Sequence, residues 1–355
     1  MLSRSYFGAM EATGAETKTV LVTGGSGYLG SWCAIELLRR GYRVRTTVRD
    51  LAREPEVRAA IGSEVDPGGR LTVLAADLLA DEGWPEAVQG CEYVLHVASP
   101  FPPKQPDDPD DLIVPARDGT LRVLGAALDA GVERIVVTSS VAAVTGGGKP
   151  VHGRPLDERD WSDPENMAMT PYARSKTIAE LAAWDFMAER DATAKLATVN
   201  PGAIIGPVLS EDRSYSLQSI ERLLGGIPGV PRIGFSFVDV RDVADLEIRT
   251  MTDPAASGER FVAVQEFMWM ADIAAVLRER LGEDAAKVPT RRIPDLLVRV
   301  MARFDPGLRS IVGQLGRKTS LSSEKAKSHL GWSPRPLEDT IAECARSMTN
   351  ASPEG

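Results

Sequence analysis

Residues 18–30, KTVLVTGGSGYLG, constrain this chain more than any other stretch. A short β-rich apolar run (18–22) passes directly into three glycines, read either as Gly25, Gly27 and Gly30 or as Gly24, Gly27 and Gly30. The next segment, SWCAIELLRRG, carries Trp32, Ile35, Leu37 and Leu38 near helical spacing and stops at Gly41. Strand, glycine turn and helix in that order form the context in which such a triplet binds a dinucleotide. Glycine lets the backbone turn tightly and approach a pyrophosphate, and the helix start offers unpaired N–H groups and a partial positive charge. Gly24, Gly27, Tyr28, Leu29 and Gly30 are therefore the candidate phosphate-side residues.

The strand–helix rhythm continues. YRVRTTVRD reads as a second strand ending at Val48, residues 52–61 as a helix, and LTVLAADL (71–78) as a third strand. CEYVLHVASP (91–100) reads as a fourth strand, residues 112–130 as a helix and RIVVTSS (134–140) as a fifth strand. This alternation predicts an α/β fold: a doubly wound parallel sheet of Rossmann type, with ligands at the carboxyl ends of its strands. Past residue 205 the chain is rich in Gly and Pro around one helix, and a strand–helix unit returns in FVDVRDVADLEIRTM. RFVAVQ is one more strand, and mostly short helices fill residues 283–350. The expected division is a dinucleotide-binding domain of 18–206 and 236–265 with a smaller, mostly helical substrate lobe of 207–235 and 266–350. Residues 1–17 read as a disordered leader, with Met10 an alternative start.

Charge narrows the partners. Fifty acidic against 41 basic residues give a net charge of −9, which repels nucleic-acid phosphates and anionic lipid. No apolar stretch approaches the roughly 18 residues of a membrane span, and the N-terminus has no signal-like run. A small-molecule partner, no nucleic acid, no membrane and a cytoplasmic location are expected, as monomer or homodimer. Cys33, Cys91 and Cys344 are scattered without CxxC spacing, and His152 and His329 lack partners at ligand spacing, so no metal is expected. His96 reads as packed or hydrogen-bonded beside the fourth strand.

Cofactor choice turns on the end of the second strand. Sites for NAD place an acid about 20 residues beyond the glycines, on the ribose hydroxyl, whereas a nearby Arg suits the 2′-phosphate of NADP. Arg49 lies 19 positions after Gly30, with Asp50 beside it. A guanidinium binds phosphate through paired hydrogen bonds, which favours NADP(H) over NAD(H).

TPYARSKTIAELAAWDF (170–186) predicts a helix beginning near Pro171, with Tyr172 and Lys176 four apart on one face. A phenol titrates near 10, and an ammonium one turn away is expected to lower that value. Ser140 ends the fifth strand, and its hydroxyl can hold a substrate oxygen. Ser139 competes for that role, since adjacent strand residues face opposite ways and only one should enter the site.

TGGSGYLG, ADL (76–78), HVASP (96–100), TSS (138–140), YARSK (172–176) and NPGAIIGP (200–207), in this order, resemble the extended short-chain dehydrogenase/reductases. The chain is most similar to their dihydroflavonol reductase-like carbonyl reductase branch, over about residues 18–350. The resemblance implies Tyr172 as general acid, Lys176 on the nicotinamide ribose and tuning Tyr172, and Ser140 positioning the carbonyl. It also implies Asp77 and Leu78 beside the adenine, Val97, Ala98 and Ser99 along the cofactor channel, and Pro201 and Ile204 near the nicotinamide. For Val97, Ala98 and Ile204, plain strand core is the competing reading. Thr145 stands where plant flavonoid reductases carry an Asn, the cinnamoyl-CoA reductase signature NWYCY is missing from ENMAMTPY, and TSSVAAV lacks the sugar-dehydratase acids. These departures disfavour all three of those substrates. The expectation is an NAD(P)-dependent oxidoreductase that reduces an aldehyde or ketone with NADPH, reversibly. A hydroxysteroid dehydrogenase, a nucleotide-sugar epimerase and an NADP-sensing binding protein are the alternatives.

Overall fold

The computed structural model describes residues 17–100, 108–146, 153–166, 168–210, 215–304 and 312–350. Residues 1–16 of the expected leader, and His152, lie outside them. Among the described residues, ten strands form two sheets. In chain order they are β1 (Thr19–Val22), β2 (Arg43–Val48), β3 (Leu71–Ala75), β4 (Tyr93–His96), β5 (Arg134–Thr138), β6 (Leu196–Pro201), β7 (Ala203–Ile205), β8 (Gly234–Asp239), β9 (Arg260–Ala263) and β10 (Glu266–Trp269). The principal sheet is parallel throughout, in the order β3-β2-β1-β4-β5-β6-β9. The order in which successive strands are added reverses between β1 and β4, and at such a switch point the carboxyl ends of the strands leave a crevice for a ligand.

The helices that position the site are α1 (Tyr28–Arg39), α2 (Glu54–Gly62), α3 (Trp84–Val88), α4 (Asp110–Asp129), α5 (Ala142–Thr145), α6 (Pro171–Ala188), α7 (Tyr215–Gly225), α8 (Val240–Thr252) and α9 (Met270–Leu281). Alternation along each strand sorts its side chains between two cores. Val20, Val22, Leu95, Val136 and Val199 join α1, α2 and α8 on one face. Leu21, Val94, Ile135, Val137 and Leu196 join α3, α4 and α6 on the other. Burial on both faces explains why these strands read as continuous apolar runs.

β7, β8 and β10 make a second, three-stranded sheet that the sequence reading does not resolve. The chain crosses from one sheet to the other at Gly202. A Cβ there would collide with the Ser236 carbonyl oxygen, so the close approach of the two sheets requires glycine. β7 and β8, expected with the nucleotide half, thus hydrogen-bond within the smaller sheet, while β9 completes the large one. A third core gathers Ile205, Phe237, α7 and α9 with Leu337, Ile341, Cys344 and Ala345 of the C-terminal helix Leu337–Asn350. That helix buries its Ile341 and Ala345 face in this core. No helix among the described residues is long and apolar enough to cross a membrane.

Candidate active site

The glycine turn is built by close contact. Gly24 adopts φ +76°, which favours glycine, and packs on Ala98. A Cβ on Gly30 would strike the Gly24 carbonyl oxygen, so α1 can start directly against the turn. Gly27 caps α1 without any side-chain hydrogen bond, and no acid occupies the first turn. The helix start therefore presents backbone N–H groups that no side chain caps, an arrangement suited to a pyrophosphate. Leu29 is buried in the core, which leaves only its backbone for a ligand. Tyr28 packs against two of the cores, and its hydroxyl is buried without a hydrogen-bond partner among the described residues.

Past β2, Arg49 and Asp50 are both exposed. Asp50 accepts the Ala52 N–H at 2.9 Å and so caps the turn Leu51–Arg53. That turn carries Arg53 back over the glycine loop, where its Nη1 donates to Ser26 Oγ at 3.0 Å. The sequence reading missed Arg53; its signal was the four-residue spacing from Arg49. At the end of β3, Asp77 folds into a local turn by accepting the Leu79 N–H, so the strand stops at Ala75 rather than running to residue 78. Leu78, half-buried, packs beside Gly119 of α4.

β5 delivers three consecutive hydroxyls to three directions. Thr138 donates to Glu247 of α8 at 2.7 Å. Ser139 donates to Glu180 of α6 at 2.5 Å. Ser140 shares a hydrogen bond with the Tyr172 phenol, and its Oγ accepts the Ala142 N–H at 3.1 Å. Of the two candidate serines, Ser140 meets Tyr172, and Ser139 is committed to a buried carboxylate. α6 starts at Pro171 with Thr170 as its cap, the Thr170 hydroxyl accepting the Ala173 N–H. One turn along, Lys176 Nζ donates to the Thr138 carbonyl at 3.2 Å.

Burial pushes the Tyr172 phenol above its usual value, and the Ser140 hydrogen bond pulls the other way. The lowering expected from Lys176 does not emerge: loss of solvent dominates, and it is the Ser140 hydrogen bond that opposes it. Burial pulls Lys176 down to about 8, against the attraction of Glu180 and Glu247. His96 is lowered to about 3 by burial, with Lys176 adding to the effect. Its Nδ1 meets Thr23 at 2.9 Å and its Nε2 faces Thr120 at 3.4 Å, the packed role read from sequence.

Glu180 anchors the underside of the site. It also accepts from Thr198, Asn200 and Arg260, the last at 2.7 Å with both partners buried. Arg260 stacks on Trp161, 3.5 Å from the ring centre. Ala98 donates its N–H to Thr23, Val97 packs on the α1-side core, and Ser99 lines a small cavity with Lys176 and Glu180. Pro201 is buried, its carbonyl accepting the Val141 N–H, and Ile204 is half-buried against the same core as Val97. Thr145 is half-buried at the end of α5.

The NAD dependent epimerase/dehydratase family model matches residues 20–263. Cinnamoyl-CoA reductase CAD2 of Medicago truncatula is 35% identical over 333 residues, covering 93% of this chain and 95% of its own length. Dihydroflavonol 4-reductase of Zea mays is 34% identical over 285 residues, 77% of each chain. Among solved structures, Gre2 of Candida albicans in complex with NADPH superposes with a TM-score of 0.79 at 25% identity, covering 94% of this chain and 99% of that one. The yeast methylglyoxal/isovaleraldehyde reductase Gre2, complexed with NADPH, gives 0.77 at 24% identity, covering 94% and 98%. A family match across the sheet, the glycine turn and the Ser140–Tyr172–Lys176 segment places this chain in the NAD dependent epimerase/dehydratase family, within the extended short-chain dehydrogenase/reductases.

Proposed function

We propose that the protein reduces an aldehyde or ketone to the alcohol with NADPH, reversibly, with Tyr172 as proton donor. The observation that carries this reading is the hydrogen bond between Ser140 and Tyr172 at the carboxyl end of β5, with Lys176 one helical turn further on. The names of two relatives, a cinnamoyl-CoA reductase and a dihydroflavonol 4-reductase, support the reductase class.

NADPH, when bound, supplies the hydride. The chain supplies everything else. The Gly24, Gly27 and Gly30 turn and the N–H groups at Tyr28 and Leu29 hold the pyrophosphate. Arg49 and Arg53 meet the 2′-phosphate, and the engagement of Asp50 as a turn cap leaves it less suited to a ribose hydroxyl. Asp77 and Leu78 flank the adenine, while Val97, Ala98 and Ser99 wall the channel and Pro201 and Ile204 lie by the nicotinamide. Lys176 holds the ribose. Ser140 donates to the substrate oxygen, and Tyr172 Oη gives its proton to that oxygen as the carbonyl carbon is reduced. A phenol held above its usual value by burial keeps its proton throughout the neutral range, as an acid in the reducing direction needs.

The test is a panel of aldehydes, ketones and an aryl-CoA thioester, followed by NADPH absorbance with NADH in parallel. Consumption of NADPH on an aldehyde or ketone is the expected result. Turnover confined to the thioester would move the substrate class to that of the cinnamoyl-CoA relatives. Interconversion of a nucleotide sugar without net cofactor consumption would replace the reading by an epimerase.

A further inference from the structure

Glu247 lies in the middle of α8 with no exposed surface. Its Oε1 accepts the Thr138 hydroxyl, and its Oε2 is buried with no hydrogen-bond partner among the described residues. Leaving a carboxyl oxygen in that state costs stability, and an apolar side chain would fill the same space more cheaply. Packing alone therefore does not account for a glutamate here.

Its hydrogen-bond partner among the described residues is informative. Thr138 is the last residue of β5, immediately before Ser139 and Ser140. The Thr138 side chain contacts Glu247, and its backbone carbonyl accepts the Lys176 ammonium. A single residue thus links a carboxyl on one face of the sheet to the lysine on the other. We infer that Glu247 is a positioning residue for the reducing site: its buried carboxyl secures Thr138, whose carbonyl in turn seats the Lys176 ammonium. This rests on the roles of Tyr172 and Lys176 proposed above.

The surrounding charges agree with that assignment. Burial raises Glu247 to about 8, opposed by the Thr138 hydrogen bond and by Lys176. Burial lowers Lys176 to about 8. Two groups that meet on the pH scale and attract each other titrate as a pair. The other groups facing the pair are Glu180 of α6, which is bound to Arg260, His96 of β4, which is held neutral, and Cys33 of α1. Burial pushes the Cys33 thiol well up, and Glu247 adds to this, so Cys33 supplies no negative charge in its place. At neutral pH Glu247 is uncharged and Lys176 is charged. As the pH rises, loss of the Glu247 proton creates an anion that favours the ammonium. Glutamine at 247 keeps an oxygen for Thr138 but forms no anion, so Lys176 loses its proton sooner.

The experiment measures kcat and NADPH KM against pH for wild type, Glu247→Gln, Thr138→Val and Tyr172→Phe, with NADPH affinity by fluorescence titration at each pH. In Glu247→Gln, the alkaline limb of activity and the alkaline loss of NADPH affinity should both move down by about one pH unit. Thr138→Val should move them the same way by less, because the Thr138 hydrogen bond lowers Glu247. Limbs that coincide with wild type, or move upward, overturn the assignment. If Glu247→Gln does not fold, Thr138→Val decides alone, and an unmoved limb rejects the idea. The Tyr172→Phe arm separates the two readings. If it keeps its turnover, the proposed site is wrong. If it is inactive while the Glu247→Gln limb stays in place, only the role of Glu247 falls.

Discussion

Ser139 and Ser140 differ in little except the direction in which the chain points them. Ser139 turns under the sheet to Glu180, while Ser140 turns to Tyr172. Period-two alternation says that one of the pair faces the site without saying which; it was the family resemblance that put Ser140 there. Tyr172→Phe keeps the ring and removes the proton. The expected outcome is a fall in carbonyl reduction of about 10²–10⁴-fold with NADPH still bound, checked by steady-state kinetics beside fluorescence titration. Near-full turnover would remove Tyr172 from the chemistry. The cofactor arginines make a second residue-scale case. Arg49 was legible from its distance to the glycines, but Arg53 depends on the Asp50-capped turn that brings it to Ser26. Arg49→Ala and Arg53→Ala should each weaken NADPH by roughly tenfold, the size of one charge-assisted hydrogen bond of about 1.5–3 kcal/mol. NADH, which has no 2′-phosphate, should be little affected. Equal losses for both cofactors in isothermal titrations would shift attention to Asp50 as a ribose ligand.

Elements set these residues in place by their ends. β5 stops at the sheet's carboxyl edge, and α6 begins at Pro171 with Thr170 capping it, so Tyr172 enters on the first turn and Lys176 on the next. Glu180, one turn further, binds Ser139, Thr198, Asn200 and Arg260, tying α6 to β5, β6 and β9. The C-terminal helix shows the other side of element-scale reasoning. Leu330, Trp332, Leu337 and Ile341 are too apolar for a free tail, and all four are buried. They divide between cores, however: Leu330 and Trp332 join the α1–α8 face of the large sheet, while Leu337 and Ile341 join the core of the smaller lobe. Trp332 Nε1 also donates to the Asp242 carbonyl of α8. Deleting residues 331–355 should therefore raise the carbonyl KM and lower solubility more than it weakens NADPH. A soluble truncation with wild-type kinetics would show that this packing is dispensable to the site.

At the scale of the molecule, buried titratable groups tie stability to pH. Glu247 stays protonated up to about 8 in the folded chain, whereas an exposed glutamate ionises near 4.5. Between those values the unfolded chain holds fewer protons, so stability falls as pH rises. His96 works in the opposite sense. It is neutral down to about 3 when folded and takes up a proton near 6.5 when unfolded, so stability is lost as pH falls below 6.5. From these two groups Tm should peak in mildly acidic buffer. Glu247→Gln should flatten the decline towards pH 8, raising Tm there relative to the acidic maximum by roughly 3 °C or more. A Tm–pH curve parallel to wild type would show that Glu247 is already ionised in the folded chain. Two sheets joined at Gly202 also explain why the smaller sheet was not legible in the sequence. β7 has three residues and β8 follows a Gly- and Pro-rich stretch, so neither carries enough periodicity to declare itself.

What the sequence determined by itself was whatever rests on local periodicity and short-range chemistry. The parallel sheet follows from apolar strands alternating with helices, the phosphate turn from glycines between a strand and a helix, and the Tyr172–Lys176 face from a four-residue step. Tertiary structure alone decided whatever depends on which surfaces meet. It brought Arg53 to Ser26, turned Ser139 to the buried Glu180, and set Glu247 against Thr138 across 109 positions of sequence. It also decided that Tyr172 is raised rather than lowered. The physical reason is the same each time: burial and hydrogen-bond direction belong to the packed chain, and no spacing along the sequence encodes how much solvent a side chain loses.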